Sequence, residues 1–294
     1  MAPAALDALL VLTPGPGLPA PRQRRRDRGR FGLLLGAPLL VALTLVALTP
    51  GVLAPRDPYR LDLNRRLLGP STANWLGTDQ FGRDLLSRLI FGARATLGAS
   101  LLVLATTTVA ATGVALVATL GPRPARTVTL RLIELFLALP QLIVAFAIVG
   151  VLGPGFLNTL LALAITGWAG EARVLRALLA AEVRAPYVEA ARSVGASRSR
   201  IVARHVLPAV AGRAAVVLSL RLGQTILVLS SLSFLGLGAQ PPSPEWGAML
   251  SEAQPFLLRA PALMILPGLA VVLTVALSNV LADTASAFLD TRRR

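Results

Sequence analysis

The sequence contains no cysteine and no lysine, and it has a single histidine, His205, among its 294 residues. Without cysteine the chain can form neither disulfides nor iron–sulfur clusters nor zinc knuckles. Without lysine it has no Walker A phosphate loop and no Schiff-base chemistry. One histidine also argues against a metal cage or a Ser-His-Asp triad. These absences favour a protein that is not an enzyme.

Charged residues are scarce as well: they make up 15% of the chain, whereas 54% is hydrophobic and the mean hydropathy is +0.69. All 29 basic residues are arginine, and the formal net charge is +15. That charge would suit a nucleic-acid-binding protein, but such a protein is expected to be far more polar. The composition therefore indicates a membrane protein that does not bind nucleic acid.

Long uncharged runs divide the chain into candidate membrane helices. A span needs roughly 20 apolar residues. The first run, 31–55, follows an arginine cluster but is too long for the apolar core of a signal peptide, so it indicates an uncleaved helix. We expect a disordered basic cytoplasmic tail at residues 1–30 and a basic C-terminal tail at 290–294. Six spans are predicted: 31–55, 95–122, two within 135–170 that are separated by Gly153-Pro154-Gly155, 214–238 and 260–282.

The arginines are distributed unevenly between the two predicted sides of the membrane. With the N-terminus inside, 20 of the 29 fall on the cytoplasmic side, as the positive-inside rule requires. Both termini are then cytoplasmic, and residues 56–94 are extracytoplasmic. Arg221 alone lies within a span, and we expect it at the inner interface, because long cations near helix ends extend to the membrane surface.

The cytoplasmic segment 171–213 has the pattern of two short helices joined by a glycine. Pro186 suits the first position of a helix, and Gly195 suits the position after its end. Ser197 can cap a second helix that continues until Pro208. One apolar face is predicted on the first helix, formed by Tyr187, Ala190, Ala191 and Val194. On periodicity alone, an ordinary basic loop fits equally well.

Three segments carry a family resemblance. Residues 189–208 contain Glu-Ala-Ala, then Gly195, then Leu-Pro; residues 76–84 read LGTDQFGRD; and residues 231–242 read SLSFLGLGAQPP. In this order they resemble the ABC-importer permeases of the dipeptide, oligopeptide and nickel group. The first segment is similar to the EAA loop of those permeases, and the likeness extends over roughly residues 28–292.

This resemblance implies an all-α integral membrane protein with the type I ABC importer permease fold, six transmembrane helices and cytoplasmic termini. It implies a C-type subunit of a bacterial or archaeal cytoplasmic membrane. The expected partners are a homologous permease subunit, two cytoplasmic ATPase subunits that bind ATP and Mg, and an extracytoplasmic substrate-binding protein. The cargo would be a di- or oligopeptide or a related small solute, including nickel, moved by alternating access.

The resemblance also implies roles for parts of this chain. The five-helix core would span 95–289 and include a coupling loop at 182–208, while the chain itself would hold no cofactor or metal. ATPase coupling is expected at Glu189, Ala190, Ala191, Arg192, Gly195, Ala196, Ser197, Leu207 and Pro208.

Polar residues inside the predicted spans are candidates for lining the pathway, although most such residues bond to a neighbouring helix or to their own backbone. The candidates are Gln141, Gln224, Ser230, Ser231 and Ser233. Glu134 is expected to form an interfacial ion pair with Arg131 instead.

The extracytoplasmic segment 56–94 is expected to contain an amphipathic interfacial helix. Its apolar residues recur at helical spacing, opposite a charged face, and Thr78 or Asp79 would cap it. The apolar residues are Leu85, Leu86, Leu89 and Ile90.

A stand-alone secondary transporter or channel is the alternative function. It would need ionisable residues inside the membrane or inverted repeats. The sequence indicates neither, because its charges cluster between the uncharged runs.

Overall fold

The computed structural model describes residues 38, 39 and 41–291, with side chains as far as residue 282. The predicted tail at 1–30, the beginning of the predicted span 31–55 and the last three residues lie outside this range. Within it the chain is helical, and its β-structure is limited to one isolated bridge between Thr78 and Asp84.

Eleven α-helices follow one another through the described residues. They are α1 (41–48), α2 (Pro50–Leu53), α3 (Leu85–Leu120), α4 (Arg123–Ala138), α5 (Gln141–Leu152), α6 (Phe156–Val183), α7 (Pro186–Ser193), α8 (Arg198–Ile201), α9 (Leu207–Phe234), α10 (Trp246–Ala253) and α11 (Ala262–Thr291).

Three stretches of the described chain are helical, long and apolar enough to cross a membrane. They are α3, the continuous Arg198–Phe234 and the Ala262–Ala282 part of α11. Helices α4 and α5 make a fourth if they form one span, although they are bent by 86°. The predicted count of six helices stays a prediction.

The bend between α4 and α5 corrects a predicted boundary. The uncharged run beginning at 135 was expected to be one straight span, but Leu139 and Pro140 are extended and separate the two helices. Proline lacks a backbone N–H and disfavours the helical conformation in the residue before it. The first four residues of that run therefore belong to α4, and α5 begins after the proline.

A second proline, Pro208, does not interrupt the helix. Pro208 was expected to end the second loop helix, but it lies in the first turn of α9 and the helix continues. A π-helical turn, Val202–Val206, precedes it, and the Leu207 N–H donates to the Val202 carbonyl. The wider turn changes the hydrogen-bond register just before the proline, so the chain continues without a break.

The predicted interfacial helix in 56–94 is the beginning of α3 rather than a separate helix. The cap is Asp84, not Thr78 or Asp79, because its carboxylate accepts the Ser87 N–H at 2.8 Å. The helix then continues without a break to Leu120. Its charged face is buried, and Arg83 and Arg88 pair with Glu252 of α10.

The core near the predicted coupling loop joins α3, α6, α7 and α9. Small residues of α3, including Ala111 and Ala115, let the helices approach closely. Leu175 and Leu179 of α6 fill the space between them, and Val188 of α7 enters the same cluster. The short loop helix is therefore anchored to the long helices by apolar contact.

Candidate functional site: the coupling loop and a central polar pocket

The coupling loop has the helix–glycine–helix form that the sequence predicted. Pro186 lies in the first turn of α7, and Gly195 follows its end with a φ of +83°. This left-handed conformation costs non-glycine residues free energy. The Ser197 hydroxyl accepts the Arg200 N–H at 3.4 Å and so caps α8.

The predicted apolar face of α7 stays largely open. Val188, which does not belong to that face, is buried in the core, whereas Tyr187, Ala190 and Val194 are exposed and Ala191 is partly packed. The side chain of Val194 is 85% exposed. The loop therefore holds to the core by one side and presents a small apolar surface on the other.

The other predicted coupling residues divide between these two sides. Ala196 and Leu207 are half-buried against the core, as Ala191 is. The exposed ones are Glu189, Ala190, Arg192, Gly195, Ser197 and Pro208.

A carboxylate that sequence reasoning missed ties α7 to two long helices. Glu182, near the end of α6, accepts a hydrogen bond from the Tyr187 hydroxyl at 2.7 Å. The same carboxylate forms an ion pair with Arg213 of α9. The Tyr187 ring also lies 6.3 Å from the ring of His205. No spacing rule marks Glu182, because its two partners lie in two other helices, α7 and α9.

The second feature is a polar pocket between α3, α5, α6 and α9. Glu171 of α6 is buried, and its carboxylate accepts hydrogen bonds from Thr107 at 3.0 Å and Thr108 at 3.2 Å. Arg221 of α9 donates to the Gln224 side chain at 2.9 Å. The pocket is lined by Val103, Thr107, Gln141, Leu163, Gly167, Glu171, Arg221, Gln224, Thr225 and Val228.

Arg221 and Glu171 both line this pocket, and both lie near the middle of their helices, α9 and α6. At 1.5 Å per residue each is about 20 Å from either end of its helix. The expected position of Arg221 at the inner interface stays a prediction.

The predicted pathway residues separate into two groups. Gln141, Gln224 and Ser231 are exposed, and the first two line the pocket. Ser230 and Ser233 are buried where α9 meets the loop and helix α10. The backbone of Ser230 contacts Gly247, and the Ser233 hydroxyl accepts the Ala239 N–H at 3.4 Å. We therefore keep only the first group as proposed pathway residues.

The predicted ion pair between Arg131 and Glu134 is confirmed, with 3.1 Å between the guanidinium and the carboxylate. Both side chains are largely exposed, at 80% and 65%. An exposed pair of this kind contributes little to stability.

On the other side of the structure, four charged residues form a buried cluster. Arg83 is 2.5 Å from both Asp79 and Glu252, and Arg88 is 3.5 Å and 3.3 Å from the same carboxylates. Gln80 donates to Glu252 at 2.9 Å. The cluster joins the segment before α3 to α10, so the predicted extracytoplasmic segment 56–94 and α10 form one folded unit.

Comparison with known proteins identifies the family of this chain. Residues 111–294 match the family described as "Binding-protein-dependent transport system inner membrane component". The glutathione transport system permease protein GsiD of Pectobacterium atrosepticum is 38% identical over 263 residues, 89% of this chain and 87% of that protein. The nickel transport system permease protein NikC of Escherichia coli K12 is 36% identical over 264 residues, 89% of this chain and 94% of that protein.

Among solved structures, the fold is similar to that of a chain of the MetNI methionine ABC transporter in an inward-facing conformation. The TM-score is 0.57 at 17% identity, and the match covers 68% of this chain and 94% of that one. At this level of identity the likeness concerns the fold alone.

Proposed function

Because this chain belongs to the binding-protein-dependent transport system inner membrane component family, we propose that it forms half of the translocation pathway of an ATP-driven importer. As a member of that family it is a multi-pass inner-membrane permease subunit and not an enzyme. The finer proposal concerns its partners, its cargo and the way in which ATP hydrolysis drives it. The open apolar face of α7 is the observation that carries this proposal.

The proposed partner on the cytoplasmic side is an ATPase subunit that covers this face. Tyr187, Ala190 and Val194 are exposed on a helix whose other side is fixed to the core by Val188. A short amphipathic helix is well suited to enter a groove of another protein. The chain has no lysine and hence no P-loop of its own, so two ATPase subunits would supply ATP and Mg.

Movement of the docked loop would reach the long helices through Glu182. Tyr187 connects α7 to this carboxylate, and Arg213 connects the same carboxylate to α9. Closure of the two ATPases would thereby shift α6 and α9 together, and the permease would alternate between inward- and outward-open states. A homologous permease would supply the other half of the pathway, and an extracytoplasmic binding protein would deliver the cargo.

We propose a short peptide as the cargo. The two relatives described above are named for glutathione and for nickel. In the part of the chain that the structure describes, no three His, Cys, Asp or Glu side chains are grouped as a metal site would require. The central pocket instead combines amides, hydroxyls and charges of both signs, and these groups match the polar groups of a peptide.

The test is substitution of Gly195 in the complete complex, reconstituted in proteoliposomes. We expect Gly195→Arg to leave the subunit inserted and assembled but to lower the uptake per ATP hydrolysed severalfold, because arginine does not readily adopt a φ of +83°. Gly195→Asn is the matched control, since asparagine tolerates this conformation. Normal uptake per ATP hydrolysed by the arginine variant would show that this turn does not take part in coupling.

Co-purification separates the proposal from a stand-alone transporter. A tagged chain should bring down ATPase subunits and a second permease in fixed proportion. Transport by the purified chain alone, without ATP, would support the alternative.

A further inference from the structure

The central pocket carries an inference that rests on the proposed function and deepens it. We propose that Glu171 and Arg221 form a solute-binding site within the membrane, selective for zwitterionic peptides: Glu171 binds the ammonium group and Arg221 binds the carboxylate.

The first argument is the cost of placing these charges where they are. Polar and ionisable side chains in the middle of membrane helices cost free energy and are found where they line a cavity or pair with one another. Glu171 and Arg221 both line the central pocket. Yet the ion pairs found among the described residues do not include one between these two side chains. Each group therefore keeps capacity for a further charged partner.

The second argument is that the two groups are held differently. The Glu171 carboxylate is fixed by the hydroxyls of Thr107 and Thr108, which leave lone pairs on both oxygens. The Arg221 guanidinium uses one nitrogen for Gln224 and has other N–H groups to donate. An acceptor and a donor of opposite charge thus line one cavity, together with the amide of Gln141.

The third argument comes from two glycines of α6 that make room for these groups. A side chain at Gly170 would bring its Cβ within 2.6 Å of an Arg221 guanidinium nitrogen. A Cβ at Gly167 would be 3.0 Å from a methyl group of Thr107 and 3.6 Å from the amide nitrogen of Gln141. The small residues of α6 therefore allow both the cation and the amide to approach the pocket.

The fourth argument is that the pocket opens onto an exposed face. Gln141 and Gln224 are exposed, and Gln224 lies on a stripe of α9 with Leu220, Leu227 and Ser231. A lipid environment would leave these amides without partners. In the complex this face meets either the second permease or a water-filled path, and both would admit a polar solute to the pocket.

The test measures binding directly, because a binding protein would impose its own selectivity on uptake. The complete complex in nanodiscs, without the binding protein, is titrated calorimetrically with L-alanyl-L-alanine, its N-acetyl derivative and its C-terminal amide. For the wild type we expect each blocked peptide to bind about tenfold more weakly, since each loses a charge-assisted hydrogen bond.

The variants assign each terminus to a residue. Glu171→Gln should abolish the difference between free and N-acetylated peptide but keep the preference for a free carboxylate. Arg221→Gln should abolish the difference between the free peptide and its C-terminal amide but keep the preference for a free ammonium group. Gly170→Ala keeps both charges and displaces the guanidinium, so it should resemble Arg221→Gln even if a charge variant fails to assemble. Ser219→Ala is the control, because its hydroxyl bonds to the carbonyl of Ala215 in its own helix.

Three results would overturn the inference: no binding of L-alanyl-L-alanine by the wild type, equal binding of all three peptides, or an equal loss for all three in every variant. An equal loss for all three peptides in every variant would show that Glu171 and Arg221 stabilise the structure and do not recognise the peptide termini. ATP hydrolysis stimulated by the loaded binding protein is measured on the same nanodiscs. If stimulation is present, the proposed function stands while the inference fails, and if it is absent, the proposed function fails.

Discussion

Glu252 allows a direct test of the buried charge cluster formed by Asp79, Arg83, Arg88 and Glu252. The cluster holds two cations and two anions, and the side chains of Arg83 and Arg88 are each only 1% exposed. Glu252→Gln keeps the shape but removes one negative charge, so a net positive charge would remain buried. Breaking a buried ion pair by removing one partner costs about 3–5 kcal/mol. We therefore expect a large loss of stability, in which α10 separates from the start of α3.

The matched control is Glu134→Gln, the same change in the exposed pair with Arg131. It should cost no more than about 1 kcal/mol. Thermal unfolding of both variants in the same detergent, followed by tryptophan fluorescence, compares them directly, since Trp246 is buried beside the cluster's helices. Equal melting temperatures for the two variants would refute the reasoning, because the cluster would then contribute no more than a surface pair.

Two further predictions concern the contact of α10 with α9 and the hydrogen bond between α7 and α6. Gly247→Ala would place its Cβ against the backbone of Ser230, so α10 must move away from α9 and the melting temperature should fall; Gly98→Ala, with open space around it, should not lower it. Tyr187→Phe removes the hydrogen bond to Glu182 and should lower uptake per ATP severalfold without altering membrane insertion. Unchanged uptake per ATP would show that this bond plays no part in coupling.

The sequence predicted the coupling loop well because its signals are local. Pro186 begins α7, Gly195 ends it with a positive φ, and Ser197 caps α8, each through contacts within a few residues. Two features were not predicted: α7 packs on the core through Val188, and Pro208 does not end the second helix. The burial of Val188 depends on contacts with α3 and α6, which a local sequence pattern does not include.

Local sequence rules did not predict how Pro140 and Pro208 affect their helices. Pro140 was expected inside a membrane span, and Pro208 was expected to end a helix. One separates α4 from α5 by an 86° bend, whereas the other lies inside a continuous helix after a π turn. Beside the second proline, Ile201 and Val206 are buried in the core, a tertiary contact that a local rule does not include.

Glu171 was missed for a related reason. It ends an uncharged run, so the sequence assigned it to the cytoplasmic side, yet α6 continues to Val183. Its hydroxyl partners lie more than 60 residues away in α3. A local signal did exist, because no glycine or proline interrupts residues 171–183, and such a stretch can extend the helix well past the charge.

The exposed stripe of α9 connects the fold to the proposed assembly. Leucines at 220 and 227 alternate with Gln224 and Ser231 along one face. The Ser231 hydroxyl donates to the Leu227 carbonyl of its own helix. The Gln224 side-chain oxygen accepts a hydrogen bond from Arg221, so the side-chain N–H groups of Gln224 need acceptors elsewhere. Hydrocarbon offers none. A partner permease or pathway water would supply them, and this need supports a subunit whose membrane-facing surface is completed only by assembly.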